Sequence, residues 1–329
     1  MKYLVTEGGK TTIKDIPEVF PNDNQVKIKI KYVGVCMSEH DAWVEKKDGE
    51  GFGHEPMGTI AEVGKNVKGF AVGDRVSGCW GNPLPGGGGM VEYALADPSV
   101  DTVVKIPDNV RDEDAILEPL GCIMSAVSKA RIKLPGTRVC VVGTGYMGCG
   151  AIGLLKMRGA HVVAVDIRKE SLADAKRYGA DEIYTPEEAE KLFIDPNNVV
   201  APCGFDVVFE WGETNESLDL AIRLTNMCGQ LCIGAYHTGG KRLVDIQTLN
   251  VKAVECLSTH PREMDLLGES VKRSVHLLST GEWNYAKVPS KVYAAQDFDL
   301  AHEELKNKYG TYMKAIIDIT KDSGEPYVI

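Results

Sequence analysis

The run Gly143-Thr144-Gly145-Tyr146-Met147-Gly148 constrains the fold more than any other part of the chain. It follows a strand-like stretch, Arg138-Val139-Cys140-Val141-Val142, and opens a helical pattern over 147–158. A second buried strand is expected at 161–165, and it closes on Asp166. A strand that enters a glycine turn and leaves as a helix is the start of a βαβ unit, and this context matches the dinucleotide fingerprint. In that pattern Gly143 makes the tight turn, Gly145 lets the backbone approach a pyrophosphate, and Gly148 lets helix and strand pack closely. Tyr146 and Met147 begin the helix, whose first-turn amides suit an anion. Asp166 would accept hydrogen bonds from the adenosine ribose hydroxyls and repel a 2′-phosphate, which favours NAD over NADP. Arg168 keeps NADP open, because a nearby arginine can serve a phosphate.

The alternation continues downstream. A charged helix is expected over 169–178, strands over 205–209 and 230–234, and a helix over 218–224 between them. Near-continuous apolar strands alternating with helices imply a parallel sheet covered on both faces. Helices over 271–278 and 300–306 and a terminal strand over 315–319 follow. The first 110 residues are different. Val26-Lys27-Ile28-Lys29-Ile30-Lys31-Tyr32-Val33 alternates with period two, which marks a half-buried strand. Residues 59–64 and 90–95 look like further strands, and 81–89, with five glycines and two prolines, is a loop. A chain of 329 residues has room for two such domains.

The charge balance narrows the partners. Lys plus Arg is 37 and Asp plus Glu is 47, so the net charge is -10 and no basic face for nucleic acid is expected. Nine cysteines form no C-x-x-C pair, and their odd number argues against a disulfide framework. The first residues lack a signal-like apolar core, and no run reaches the ~18 apolar residues of a membrane span. A cytoplasmic protein with no membrane partner is expected.

Two short segments of the β-rich part carry metal-ligand chemistry. Cys36, Ser38, Glu39, His40 and Asp41 lie within six positions, and Gly53-His54-Glu55-Pro56-Met57-Gly58 places a His-Glu pair at a loop-to-strand junction. Taken singly, a cysteine is as well read as a small buried hydrophobe and a histidine as a hydrogen-bonded structural group. Zinc prefers Cys and His, and a catalytic zinc needs three protein ligands and an open position.

The run Gly53-His54-Glu55-Pro56-Met57-Gly58-Thr59-Ile60-Ala61-Glu62-Val63-Gly64, followed by Val67, Phe70 and Gly73-Asp74-Arg75-Val76, resembles the signature of the zinc-containing medium-chain alcohol and polyol dehydrogenases. Gly34-Val35-Cys36 with Ser38-Glu39, Leu117-Glu118-Pro119-Leu120 and Val207-Val208-Phe209-Glu210 extend the resemblance along nearly the whole chain. It implies an α/β protein. A GroES-like β-rich catalytic domain over 1–120, completed by 262–329, would join a Rossmann domain with a doubly wound parallel sheet over 121–261.

The resemblance also implies roles. Cys36 and His54 match the first two zinc ligands. Glu118 matches the carboxylate that sorbitol- and threonine-dehydrogenase-like members carry where classical members have a cysteine. Glu55 matches a residue that binds the metal or sits just behind it in polyol members. Ser38 matches the hydroxyl that hands the substrate proton toward solvent, and Glu39 a partner of the ligand histidine. One catalytic zinc per chain is implied, polarising a hydroxyl whose hydride passes to the nicotinamide.

The chain departs from the pattern in three places. The family's relay histidine would fall at Asp41, whereas this chain has His40. The lobe that holds a structural zinc in many members retains only Cys79, so no structural zinc is expected. Tyr236-His237 and Thr259-His260-Pro261-Arg262 are not general features of the family. His260 and Arg262 lie where polyol members place substrate-facing residues; the alternative is a surface loop of no special role.

The expected activity is zinc- and NAD-dependent oxidation of a secondary alcohol on a sugar, polyol or related hydroxylated metabolite, by a homodimer or homotetramer. Two alternatives stay open. One is an epimerase or lyase that holds NAD tightly for transient oxidation, and the other is a metal-free nucleotide-binding homologue.

Overall fold

In β1 (Lys2–Glu7) and β2 (Lys10–Asp15) the chain makes an antiparallel hairpin around Gly8 and Gly9. β3 (Val26–Gly34) then runs antiparallel to β4 (Glu55–Val63), to β6 (Tyr93–Ala96) and to the late strand β15 (Lys314–Asp318). β5 (Arg75–Cys79) joins β4 to β7 (Thr102–Lys105), while β14 (Ser290–Ala294) and β16 (Tyr327–Val328) continue the sheet beyond β15. The alternation in β3 leads to the expected strand with more burial than a half-solvated one. Lys27 is buried, and its amine is held by Glu18 at 2.5 Å and Glu62 at 2.7 Å. An interior lysine is tolerated here because two carboxylates pair with it.

The other sheet has six strands, all parallel. They are β8 (Arg138–Val142), β9 (His161–Val165), β10 (Glu182–Tyr184), β11 (Phe205–Glu210), β12 (Thr225–Ile233) and β13 (Glu255–Ser258), in the spatial order β10-β9-β8-β11-β12-β13. Val139, Val141, Val162, Val163 and Val208 are all buried, as expected of strands covered on both faces. Cys140 and Cys232 are buried among them as small apolar groups. The strand order reverses between β8 and β11, and in such sheets ligands bind outside the carboxyl ends of the strands at that reversal.

Eight helices are described. They are α1 (Leu117–Ser128), α2 (Tyr146–Met157), α3 (Lys169–Arg177), α4 (Pro186–Phe193), α5 (Asn215–Leu224), α6 (Ile246–Val251), α7 (Met264–Thr280) and α8 (Phe298–Asn307). This computed structural model describes residues 1–39, 47–81, 84, 88–307 and 312–329. Two compact units emerge. One comprises residues 1–121, 268–282 and 286–329, with the mixed sheet; the other comprises 122–267 and 283–285, with the parallel sheet. All nine cysteines are free thiols. Among the described residues no helix is long and apolar enough to cross a membrane.

Candidate metal centre and nucleotide site

The chain leaves β3 at Gly34 and passes Cys36 into a single 3₁₀ turn, Met37–Glu39. The Val35 amide bonds to the Ala315 carbonyl at 3.0 Å, which anchors this loop to β15. His54 immediately precedes β4, and Glu55 is its first residue. The two segments meet because β3 and β4 pair with Gly34 opposite Glu55.

The ligand atoms of Cys36, His54 and Glu55 all lie within 4.8 Å of one another. The Cys36 thiol is 3.1 Å from Ser38 Oγ. Glu39 is buried; its Oε1 accepts from the Gly53 amide at 2.7 Å and lies 2.9 Å from His54 Nδ1. A carboxylate on one ring nitrogen of a histidine is the usual way a metal-ligating imidazole is oriented, with the other nitrogen left for the cation. Burial alone would raise the Glu39 carboxyl. The adjacent His54 charge and hydrogen bond, the Gly53 amide and Lys314 outweigh it and hold Glu39 below the ordinary carboxylate range. Desolvation works against a charged His54, but Glu39, Cys36 and Glu118 raise its pKa well above that of free histidine.

Lys314, the first residue of β15, had no place in the motifs. Its side chain is buried, its ammonium pairs with Glu55 Oε2, and it donates to the Val35 carbonyl at 3.1 Å. Burial disfavours the charge, yet Glu55, Cys36 and Glu118 raise the Lys314 pKa above its usual value. Gly34 makes room for this pair. A Cβ at Gly34 would collide with Glu55 Oε2 and come within 2.9 Å of Lys314 Cε. The sequence shows only a lysine ahead of the apolar run Ala315-Ile316-Ile317, which does not by itself place Lys314 at the site.

Glu118 lies in the first turn of α1. It is outside the 4.8 Å group, but its charge acts on His54, Lys314 and Cys79. Cys79 ends β5, and burial pushes its thiol up to about 12, with Glu118 raising and His54 lowering it. Cys79 therefore belongs to the surroundings of this cluster, not merely to the remnant of a lost lobe. His40 and Asp41 lie outside the described residues, as do Pro83, Pro85 and part of the glycine loop. A thiol, an imidazole and carboxylates converging beside a buried cation form a donor set that fits a zinc ion.

The second unit carries the fingerprint residues. Gly143 follows β8 directly and opens the strand-to-helix turn at φ +87, and a Cβ there would come within 2.6 Å of the Gly212 nitrogen. A side chain is disfavoured on both counts. A Cβ at Gly148 would collide with the Gly143 carbonyl. Gly145 is the N-cap of α2 and no side chain caps the helix, which leaves first-turn amides for an anion. Asp166 Oδ2 accepts from the Thr144 amide at 2.8 Å, and Oδ1 from the Arg168 amide at 2.9 Å. The Arg168 guanidinium donates to Ser171 Oγ. His260 and Arg262 follow β13. The His260 ring packs against Tyr236 at 5.7 Å, and Arg262 donates its amide to the His260 carbonyl at 2.9 Å. Burial, Arg262 and Lys129 together lower the His260 pKa.

Residues 22–108 match the model of the alcohol dehydrogenase GroES-like domain, and residues 147–265 match that of the zinc-binding dehydrogenases. The chain belongs to the zinc-containing medium-chain alcohol dehydrogenases. Its mixed sheet is the GroES-like part and its parallel sheet the Rossmann part. Sorbitol dehydrogenase of Arabidopsis thaliana is 27% identical over 335 residues, covering 90% of this chain and 86% of that protein. D-xylulose reductase A of Aspergillus niger is 26% identical over 336 residues, covering 89% of each. Among solved structures, acetophenone reductase from Geotrichum candidum in complex with NAD superposes with a TM-score of 0.80 at 22% identity, covering 96% of both chains. The chain is an oxidoreductase of this family.

Proposed function

We propose that this dehydrogenase interconverts a secondary alcohol and a ketone on a sugar, polyol or related hydroxylated metabolite, using zinc and, in preference to NADP, NAD. The observation that carries the reading is the donor set around Cys36 and His54, in which carboxylates stand beside a single ligand thiol. Carboxylate ligands make a harder metal site than paired thiolates do, which suits oxygen-rich substrates. The likeness to sorbitol dehydrogenase and D-xylulose reductase supports the same substrate class.

Cys36 and His54 would hold the metal together with Glu118 or Glu55. Bound there, zinc supplies a Lewis acid for the substrate hydroxyl and the nicotinamide supplies a hydride acceptor. Glu39 keeps the His54 ring oriented through Nδ1. Ser38, in contact with the Cys36 sulfur, takes the hydroxyl proton and passes it toward solvent. Lys314 holds Glu55 and offsets the negative charge that the thiolate and carboxylates bring together. Asp166 receives the adenosine ribose, and the first-turn amides of α2 the pyrophosphate. Its carboxylate disfavours a 2′-phosphate, although Arg168 is close by. His260 and Arg262 read the substrate.

The catalytic part comprises residues 1–120 and 262–329, and the nucleotide part residues 121–261; the two compact units support this division. Nine free thiols agree with a reducing, cytoplasmic compartment. β13 is a mostly exposed edge strand and would pair with a second copy in a homodimer or homotetramer. A screen of polyols, sugars and simple secondary alcohols at the NADH absorbance band, run with NAD and NADP in parallel, tests the reading. Turnover of polyols with NAD is expected. No turnover by the zinc-loaded protein would overturn the activity, and faster turnover with NADP would overturn the role of Asp166.

A further inference from the structure

We propose that His237, clamped by the buried carboxylate of Glu210, uses Nδ1 as a hydrogen-bond partner for the ribose on the nicotinamide half of the dinucleotide. The proposal rests on the dinucleotide reading of the parallel sheet.

Glu210 is the last residue of β11 and is fully buried. Its Oε1 accepts from the Gly212 amide at 2.8 Å, the Glu213 amide at 2.9 Å and Ser217 Oγ at 2.7 Å. Its Oε2 lies 2.9 Å from His237 Nε2. A carboxylate oxygen accepts, so Nε2 is the donor in this contact and Nδ1 is the ring atom left to meet another partner. That nitrogen is buried and has no hydrogen-bond partner among the described residues. His237 also sits at φ +55, a left-handed conformation that a non-glycine residue keeps only where its surroundings impose it. A strained residue, held by a saturated carboxylate and presenting one unpaired atom, is arranged to meet something.

Its place in the sheet says what. β8 to β10 form the half that carries the glycine turn and Asp166, the adenosine side. β11 to β13 form the other half, and a doubly wound sheet receives the second nucleoside at their carboxyl ends. Glu210 ends β11, and His237 follows β12. Tyr236 packs on His260, which follows β13, so all three strand ends converge here. Nδ1 is covered in this structure, so His237 meets a ribose hydroxyl only when its own loop, 234–245, shifts. That loop is tied down through Thr238 and Arg242, which bond to Glu213. Gly239 and Gly240, both at positive φ, give it backbone freedom.

Two substitutions separate the ring nitrogens. His237→Asn keeps a polar atom near Nδ1 and tolerates the left-handed backbone, while His237→Gln keeps one near Nε2 and the contact with Glu210. NADH binding is followed by its fluorescence, and ADP binding by calorimetry on the same full-length proteins. The Gln variant is expected to weaken NADH about tenfold, the loss of one net hydrogen bond, with ADP within about twofold of wild type. The Asn variant is expected to stay within about threefold of wild type for NADH. His237→Ala, measured beside them, should behave as the Gln variant does. The proposal is overturned if the Gln and Ala variants bind NADH as wild type does, if NADH and ADP weaken together, or if Asn is as weak as Gln. Wild-type protein that binds neither NADH nor ADP overturns the dinucleotide reading itself, and this proposal with it.

Discussion

Replacing Glu39 by Gln removes a charge and leaves the shape. Oε1 of Glu39 takes two hydrogen bonds, from the Gly53 amide at 2.7 Å and at 2.9 Å from His54 Nδ1. Both bear on the position of the His54 ring. A hydrogen bond to an ionised, buried acceptor contributes about 1.5–3 kcal/mol, roughly twice a neutral one. If nearly all of that is lost, zinc affinity should fall about ten- to hundredfold, the range seen when a partner of a ligand histidine is removed. The assay is competition for zinc against a chromophoric chelator, with thermal unfolding of the metal-free protein as the control for the fold. An E39Q protein of unchanged stability that binds zinc within about twofold of wild type would refute the role given to Glu39, because one net hydrogen bond exceeds that difference.

Gly34→Ala forces a methyl group against Glu55, Lys314 and Ile116; a loss of about 1–3 kcal/mol in chemical denaturation, together with weakened zinc binding, is expected. Asp166→Ala should raise the KM for NAD by about ten- to hundredfold, as loss of a charged hydrogen bond implies, and that for NADP by less. Asp112 pairs with Lys31 at 2.7 Å and with Arg75 at 2.6 Å. Burial opposes its ionisation, but Lys31 and Arg75 hold its carboxyl below the usual range. Its folded pKa is depressed, so its stabilisation is complete above the unfolded value of about 3.9 and is lost as the pH falls through the folded one. Asp112→Asn should therefore be less stable than wild type in urea at neutral pH by about 1 kcal/mol, with the gap closing in acid. A gap that persists unchanged there would contradict the pairing.

The parts legible in the sequence were those whose pattern is local. The strands expected at 138–142 and 161–165 occur with those limits, because buried parallel strands are uninterrupted apolar runs. The segment expected as a strand over 90–95 is regular only from Tyr93. Its first residues bond to the first strand instead, Leu4 donating to the Met90 carbonyl. The hairpin over 2–15 leaves little mark in the sequence, because its second strand buries none of its six residues completely and so shows little contrast. The same division holds at the site. Cys36, His54 and Glu55 could be picked out by residue type, and the strand pairing brings them together. Lys314 reaches them from a strand near the other end of the chain, a distance no local pattern encodes. The His237–Glu210 pair was hidden in the same way, since the two are joined only by the adjacency of β11 and β12.

Zinc content measured together with catalysis tests the central claim most directly. Purified protein, wild type and Cys36→Ser, is assayed for bound zinc and for NAD-dependent oxidation of the best polyol. The account predicts about one zinc per wild-type chain, as a single set of protein ligands with one open position allows, and loss of both metal and turnover in the variant. Undiminished turnover after the metal is removed, or a Cys36→Ser protein that keeps its zinc and its activity, would contradict it.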